Sequence, residues 1–139
     1  MRAFIALELP ADFADDVAAM ARRLSASLDG RFLDRSTYHL TLAFLGDIDD
    51  AEASRAMDAL DAACAGSTSV SLASDSLGKF GRPADATLWL GIASDPALAT
   101  LAERVREELA ARDIPFDPKP FRPHITLGRR VHISKKPRR

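Results

Sequence analysis

A strand–helix–strand pattern that occurs twice predicts an α+β fold. Its expected form is two repeated halves of antiparallel sheet carrying helices on one face, with the repeated polar faces able to meet across a cleft if a pseudo-twofold axis relates the halves. Three observations carry the expectation. Apolar runs of strand length alternate with apolar stripes at helical spacing. The two copies of the pattern lie 85 residues apart. The same short phrase closes both copies, as His39-Leu40-Thr41-Leu42 and His124-Ile125-Thr126-Leu127. Antiparallel sheet with segregated helices is the layer architecture that such elements build.

Taken in order, Phe4 to Leu9 is an apolar run bounded by Pro10 and reads as a strand. Phe13, Val17, Met20, Leu24 and Leu28 follow at helical spacing, with Asp12, Asp15 and Asp16 early and Arg22 and Arg23 late, an order that suits the helix dipole. A loop then leads into the first His-x-Thr strand. Asp50 to Ala65 predicts a second helix, Ser69 to Leu77 an alternating strand, and Gly78 to Pro83 a turn and linker. The second copy opens with a strand over Thr87–Ala93. Asp95 is the expected cap and Pro96 the first turn of a helix carrying Leu98, Leu101, Val105 and Leu109. Phe13, Met20 and Leu24 fall on Leu98, Val105 and Leu109 at the shared offset. The expected organisation is one bilobal domain over 1–131, its halves 1–82 and 83–131 intertwined in space, and a basic tail over 132–139. No counterpart of the strand Val70–Leu77 follows the second copy. The second lobe is therefore expected to lack C-terminal strands and to leave an open sheet edge beside His124, an aggregation or dimerisation hazard.

The 139 residues suit one domain with a real core, and the hydrophobic share of 47% is ordinary. No apolar run reaches membrane-spanning length, and the first ten residues read as a strand rather than a secretory leader. A lone cysteine excludes an internal disulfide and fits a reducing, cytoplasmic setting. Cys64 shares helical spacing with Ala53, Met57 and Leu60, so a buried inert thiol is expected. The net charge of −1 conceals an asymmetry: residues 119–139 carry eight Lys or Arg and no acid, leaving 11 bases against 20 acids before them. Such a basic end is either a phosphate-attracting patch or a solvated tail.

Two of the three histidines sit in the repeated phrase. Alternation along a strand puts His39 and Thr41 on one face with Leu40, Leu42 and Phe44 on the other, and separates His124 and Thr126 from Ile125 and Leu127 in the same way. If the two polar faces meet across a cleft, one histidine takes a proton while the other gives one, and two hydroxyls hold an oxyanion between them. Either motif alone is equally an exposed strand with ordinary surface residues; the repetition favours a site. Neither motif contains Asp, Glu or Cys, so no metal is expected to be required. No sequence suited to a Ser or Cys nucleophile stands out. His132 faces Asp47 at the shared offset and reads as incidental.

With both motifs in place the chain resembles the two-histidine phosphoesterases, and among them the RNA 2′,3′-cyclic phosphodiesterases once called 2′-5′ RNA ligases. The residues that carry the likeness are Arg2-Ala3-Phe4-Ile5-Ala6-Leu7, His39 through Asp47, Gly78-Lys79-Phe80 with Pro83, Leu88-Trp89-Leu90-Gly91, and Phe121 through Arg129. The resemblance implies two pseudo-symmetric lobes, helices on their outer faces and the active-site cleft between them. It also implies cofactor-independent, metal-independent hydrolysis of a terminal 2′,3′-cyclic phosphate to a 2′-phosphate, with His39 as proton donor, His124 as proton acceptor, and Thr41 and Thr126 on the non-bridging oxygens. It implies a phosphate-pairing role for Arg129 and substrate contacts for Arg31, Phe32 and Phe121, the two aromatic rings as bases' stacking partners or as core. Strict alternation places Arg129 opposite His124, and a bulge at Gly128 would re-aim it. The implied partner is RNA with a cyclic phosphate end, tRNA fragments among the candidates; neither a membrane nor an obligate protein partner is expected. Two other readings stay open: 2′-5′ RNA joining or cleavage of a small cyclic nucleotide, and an RNA- or nucleotide-binding module of weak turnover.

Overall fold

The computed structural model describes residues 1–133, so the part of the expected basic tail from Ser134 onward lies outside the described residues. The elements are β1 (Arg2–Glu8), α1 (Ala11–Ser25), β2 (Asp29–Phe32), a 3₁₀ turn (Arg35–Thr37), β3 (His39–Asp47), α2 (Asp50–Cys64), β4 (Ser74–Arg82), β5 (Asp85–Ile92), α3 (Pro96–Ala111) and β6 (His124–His132). β1 and β3 pair in a two-stranded sheet. The other four strands form an antiparallel sheet in the order β2-β6-β5-β4. The fold is thus α+β with antiparallel sheet, as expected, and the offset survives: α1 and α3 begin 85 positions apart, as do β3 and β6.

The chain condenses into two compact units, each drawing on both halves of the sequence. Unit 1 comprises Met1–Leu7, Thr41–Leu72 and Ala93–Pro123; unit 2 comprises Glu8–Leu40, Ala73–Ile92 and the segment from His124. In unit 1 the chain start is tied down by reciprocal bonds, Met1 N to Ile48 O and Ile48 N to Met1 O. Its core rests on α3, whose Leu98, Leu101, Val105 and Leu109 are all buried as the spacing predicts. Asp95 caps that helix by accepting from the Leu98 amide at 3.0 Å. α2 begins with a full capping box between Asp49 and Glu52. In unit 2 the buried side of the sheet is built from Ala86, Leu88, Leu90, Ile125, Leu127 and Val131. α1 contributes Ala14, Val17, Ala18 and Ala21.

Several expectations are corrected. Residues 29–32, expected as loop, form β2, which pairs with Gly128–His132 of β6. The Leu33 amide adds a bond to the Leu127 carbonyl. β6 therefore lies between β2 and β5, and the open edge expected beside it carries β2 from Leu127 onward. The strand expected over 69–77 begins only at Ser74, and Gly78–Arg82, expected as turn and linker, continues it. β4 is an edge strand, where glycine is tolerated, and the turn itself is only Pro83-Ala84. Cys64 is exposed rather than buried. The buried stripe of α2 is Ala56, Ala59 and Ala63, whose small side chains let α3 approach, while Met57 points outward at 68% exposure. Phe44 was assigned to the face of Leu40 and Leu42, yet it is half exposed. Burial shifts from even to odd positions at Ala43, and the Phe44 ring packs beside Phe4 instead, centroids 6.2 Å apart.

The rotation of α2 gives a direct test. Met57→Ala should leave stability in urea within about 0.5 kcal/mol. Ala59→Leu, at a fully buried position, should cost about 1–3 kcal/mol by overpacking.

Candidate active site

β3 and β6 each start on the motif histidine, run nine residues, and share the same burial sequence over their first six positions. In both, His and Thr are partly exposed while the intervening Leu or Ile is buried. That is the alternation a strand imposes when one face covers a core. His39, His124, Thr126, Arg129, Arg31 and Phe32 belong to unit 2; Thr41 and Phe121 belong to unit 1.

His39 is set by the turn that precedes it. Asp34 caps the 3₁₀ turn, its carboxylate accepting from the Ser36 amide at 3.1 Å and from the Ser36 hydroxyl. These bonds, the side-chain one foremost, hold the Asp34 carboxyl below its ordinary range. The Thr37 hydroxyl donates to the Asp34 carbonyl at 2.7 Å. Arg35 ties the turn to the start of α1, donating to Asp15 Oδ1 at 2.6 Å and to the Ala11 carbonyl at 3.0 Å. Tyr38 is buried, and that desolvation raises its phenol above the ordinary value. The Thr37 carbonyl oxygen lies 2.8 Å from His39 Nδ1. A carbonyl only accepts, so Nδ1 carries the hydrogen and the basic lone pair of the neutral ring lies on Nε2.

His124 is placed differently, by ladder and rings. It opposes Gly91 of β5, and Thr126 opposes Trp89. Directly opposed residues share a sheet face, so Trp89 stands on the side of His124 and Thr126. Trp89 also opposes Gly78 of β4, and Phe80 lies two residues further along the same side. The Phe80 ring meets the His124 imidazole edge-on, centroids 5.5 Å apart at 83°, and the indole lies 5.9 Å from it.

The same pairing places Arg129. Thr126 opposes Trp89 while Gly128 opposes Leu88, so β6 advances two residues for one of β5. This bulge at Leu127–Gly128 puts Gly128 on the buried face beside Leu127 and returns Arg129 to the side of His124. A side chain at Gly128 would be tight: a Cβ would sit 3.2 Å from the Arg31 carbonyl and 3.1 Å from Val131 Cγ2, so its neighbours would have to yield by a few tenths of an ångström. A second bulge follows, where Arg130 adopts φ +52° between pairs Arg31–Arg129 and Asp29–His132. Arg31 opposes Arg129 and so shares its face. Phe32 opposes Gly128 and takes the other face. Phe121 lines a shallow groove along α3 with Ala102, Arg106 and Phe116. His132 ends β6 in an exposed position. Among the described residues no group of three or more His, Cys, Asp or Glu is arranged to hold a metal ion. Among the described residues no helix is long and apolar enough to cross a membrane.

Residues 9–134 match the sequence profile of the 2′-5′ RNA ligase superfamily. The chain belongs to that superfamily. Among its curated relatives, RNA 2′,3′-cyclic phosphodiesterase of Geobacillus stearothermophilus is 35% identical over 91% of this chain. The proteins of the same name from Escherichia coli K12 and Thermotoga maritima are 33% and 30% identical over 92% and 93%. The chain spans 41% of the Geobacillus protein's length and 70–71% of the other two. Of the solved structures, E. coli LigT in complex with 3′-AMP superposes with a TM-score of 0.73 at 27% identity, over 99% of this chain and 79% of LigT.

Phe80 and Trp89 were visible in the sequence only as family spelling, although Thr87, Trp89 and Gly91 alternate in the phase that faces His124. The Asp34–Thr37 turn was legible only in part: Asp and Ser two apart signal a local turn, but nothing told that its last carbonyl would hold an imidazole.

The bulge at Arg130 is open to test. Arg130→Gly should keep or raise stability by up to about 1 kcal/mol, because glycine accepts positive φ without strain. Arg130→Val, β-branched at that φ, should cost about 1–3 kcal/mol in chemical denaturation.

Proposed function

We propose that this superfamily member hydrolyses RNA 2′,3′-cyclic phosphate ends to 2′-phosphomonoesters by metal-independent acid–base catalysis with two histidines. The observation that supports it most is the pair of His-x-Thr strands: equal in length, equal in offset and equal in initial burial pattern. They occur in a chain whose curated relatives bear the name of that activity. Water attacks phosphorus and the ribose 3′ oxygen leaves in line. His124 takes the proton from water, and His39 delivers one from Nε2 to the 3′ alkoxide. The ring–carbonyl bond at Nδ1 orients His39 for this in both protonation states. Thr41 and Thr126 donate to the non-bridging oxygens, where charge accumulates in the transition state. Arg129, turned to the face of His124 by the bulge, pairs with phosphate charge, and Arg31 on the same face adds to it. Phe32, which takes the other face of the sheet, stays outside the proposed contact set, while Phe121 keeps the base-stacking role that the resemblance implies. The working location is the cytoplasm, in keeping with an exposed unpaired thiol at Cys64, and tRNA fragments are one source of such ends.

An oligonucleotide ending in a 2′,3′-cyclic phosphate, incubated with the protein and EDTA, should be converted to a 2′-phosphate end. His39→Ala and His124→Ala should each lower kcat by about 10²–10⁴-fold. Binding of the oligonucleotide without turnover by the unaltered protein would sink the proposal, and loss of turnover in EDTA would sink its metal-independent part. Arg129→Ala should raise KM and flatten its dependence on salt, the mark of a lost phosphate contact.

A further inference from the structure

The chain has one tryptophan, and its ring lies against a histidine of the repeated motif. Trp89, Phe80 and His124 form a three-ring cluster on one face of the β4–β5–β6 sheet, with Phe80 and Trp89 centroids 5.3 Å apart. The sheet is shaped to seat the indole. A Cβ at Gly78, directly across from Trp89, would collide with indole carbons Cζ2 and Cη2. A Cβ at Gly91, two residues along, would come within 3.3 Å of Cζ3. Two glycines on the same face thus clear the space that the larger ring fills. Core packing alone explains this poorly. The indole Nε1 is buried with no hydrogen-bond partner among the described residues, which costs stability that a phenylalanine would not lose. Phe80, in turn, keeps 47% of its surface exposed.

We infer that Trp89 and Phe80 are positioning residues for His124, two rings that fix the plane of its imidazole on the Gly78–Gly91 seat. The inference rests on the catalytic reading of His124 for its consequence, but not for its geometry. An imidazole on a strand swings about two side-chain torsions. Proton transfer requires its nitrogen within hydrogen-bond reach of the reacting atom and aligned with it. Rings on two sides of it remove most of that swing, and misplacement by about an ångström costs on the order of 10²-fold in rate.

Two measurements test this. The first needs no substrate. A protonated imidazole in contact with an indole quenches its emission, whereas the neutral ring does so weakly. Trp89 fluorescence should therefore fall on acidification. The transition should persist in His39→Gln and vanish in His124→Gln. A flat profile, or a transition that survives in His124→Gln, overturns the inference whatever the protein hydrolyses. The second uses the cyclic-phosphate oligonucleotide. Trp89→Phe, Phe80→Leu and Gly78→Ala, checked for unchanged folding by thermal unfolding, should lower kcat about 10- to 100-fold with KM within about twofold. Trp89→Phe should unfold no earlier than the unaltered protein. Unchanged kcat in the folded variants, or a loss confined to KM, overturns the inference. Absence of turnover by the unaltered protein overturns the proposed function and leaves the fluorescence result standing.

Discussion

The hydrogen-bond ladder on both sides of β6 is the constraint on which the rest depends. β5 fixes the first stretch of the strand and β2 the last, and the two ladders do not ask for the same register. The mismatch is taken up by two local irregularities, at Leu127–Gly128 and at Arg130. Each has a visible cost. A side chain at Gly128 would be tight, and Arg130 sits in a left-handed conformation unfavourable by about 1–2 kcal/mol for a residue with a Cβ. In exchange, a strand that must bury Ile125, Leu127 and Val131 on one side presents His124, Thr126 and Arg129 on the other. Uninterrupted alternation would have sent Arg129 to the core side.

That constraint also separates what was legible in the sequence from what was not. The His-x-Thr strands, the offset and the helices were readable because period two and period 3.6 are local properties, and local properties repeat when a segment repeats. α3 shows this best: its apolar stripe, its Asp95 cap and its first-turn Pro96 were all read correctly. β2 was not readable, because four residues, Asp29-Gly30-Arg31-Phe32, become a strand only by pairing with β6. Gly30 lies so close to Val131 that a side chain would not fit. α2 was misread for a related reason. Large apolar residues were assumed to mark the buried face, whereas close approach to α3 selects the alanines and turns Met57 and Cys64 outward. Gly78 was taken as punctuation, when it is the floor under an indole.

The duplication is folded crosswise. Unit 1 takes β1 and most of β3 from the first half and α3 from the second, whereas unit 2 takes β5 and β6 from the second half and α1 from the first. α1 and α3, the repeated helices, are thus each packed in the unit that holds the repeated strands of the other half. The repeated helix of each half lies in a different unit from most of that half's motif strand, and Leu42 and Leu127 are both buried in units drawn from the two halves. This accounts for matched residues that sit at matched positions without the two halves being separable domains.

The two copies have also ceased to be equivalent where chemistry is decided. His39 is fixed from its Nδ1 side by a backbone carbonyl, at the end of a turn braced to α1 by Arg35. That bond selects a tautomer and leaves the basic lone pair of the neutral ring on Nε2. His124 instead has two aromatic rings beside it, centroids 5.5 and 5.9 Å away. The offset makes the difference concrete. Position 129 is arginine where its counterpart 44 is phenylalanine, and position 89 is tryptophan where its counterpart 4 is phenylalanine. Positive charge and the larger ring both stand on the side of the second motif. The proposed hydrolysis, which needs one proton taken and another given, is served by such divergence, since two identical histidines would compete for the same protonation state. Duplication supplied two histidines in matching strand positions, and under the proposed hydrolysis the different surroundings of each bear on which gives a proton and which takes one.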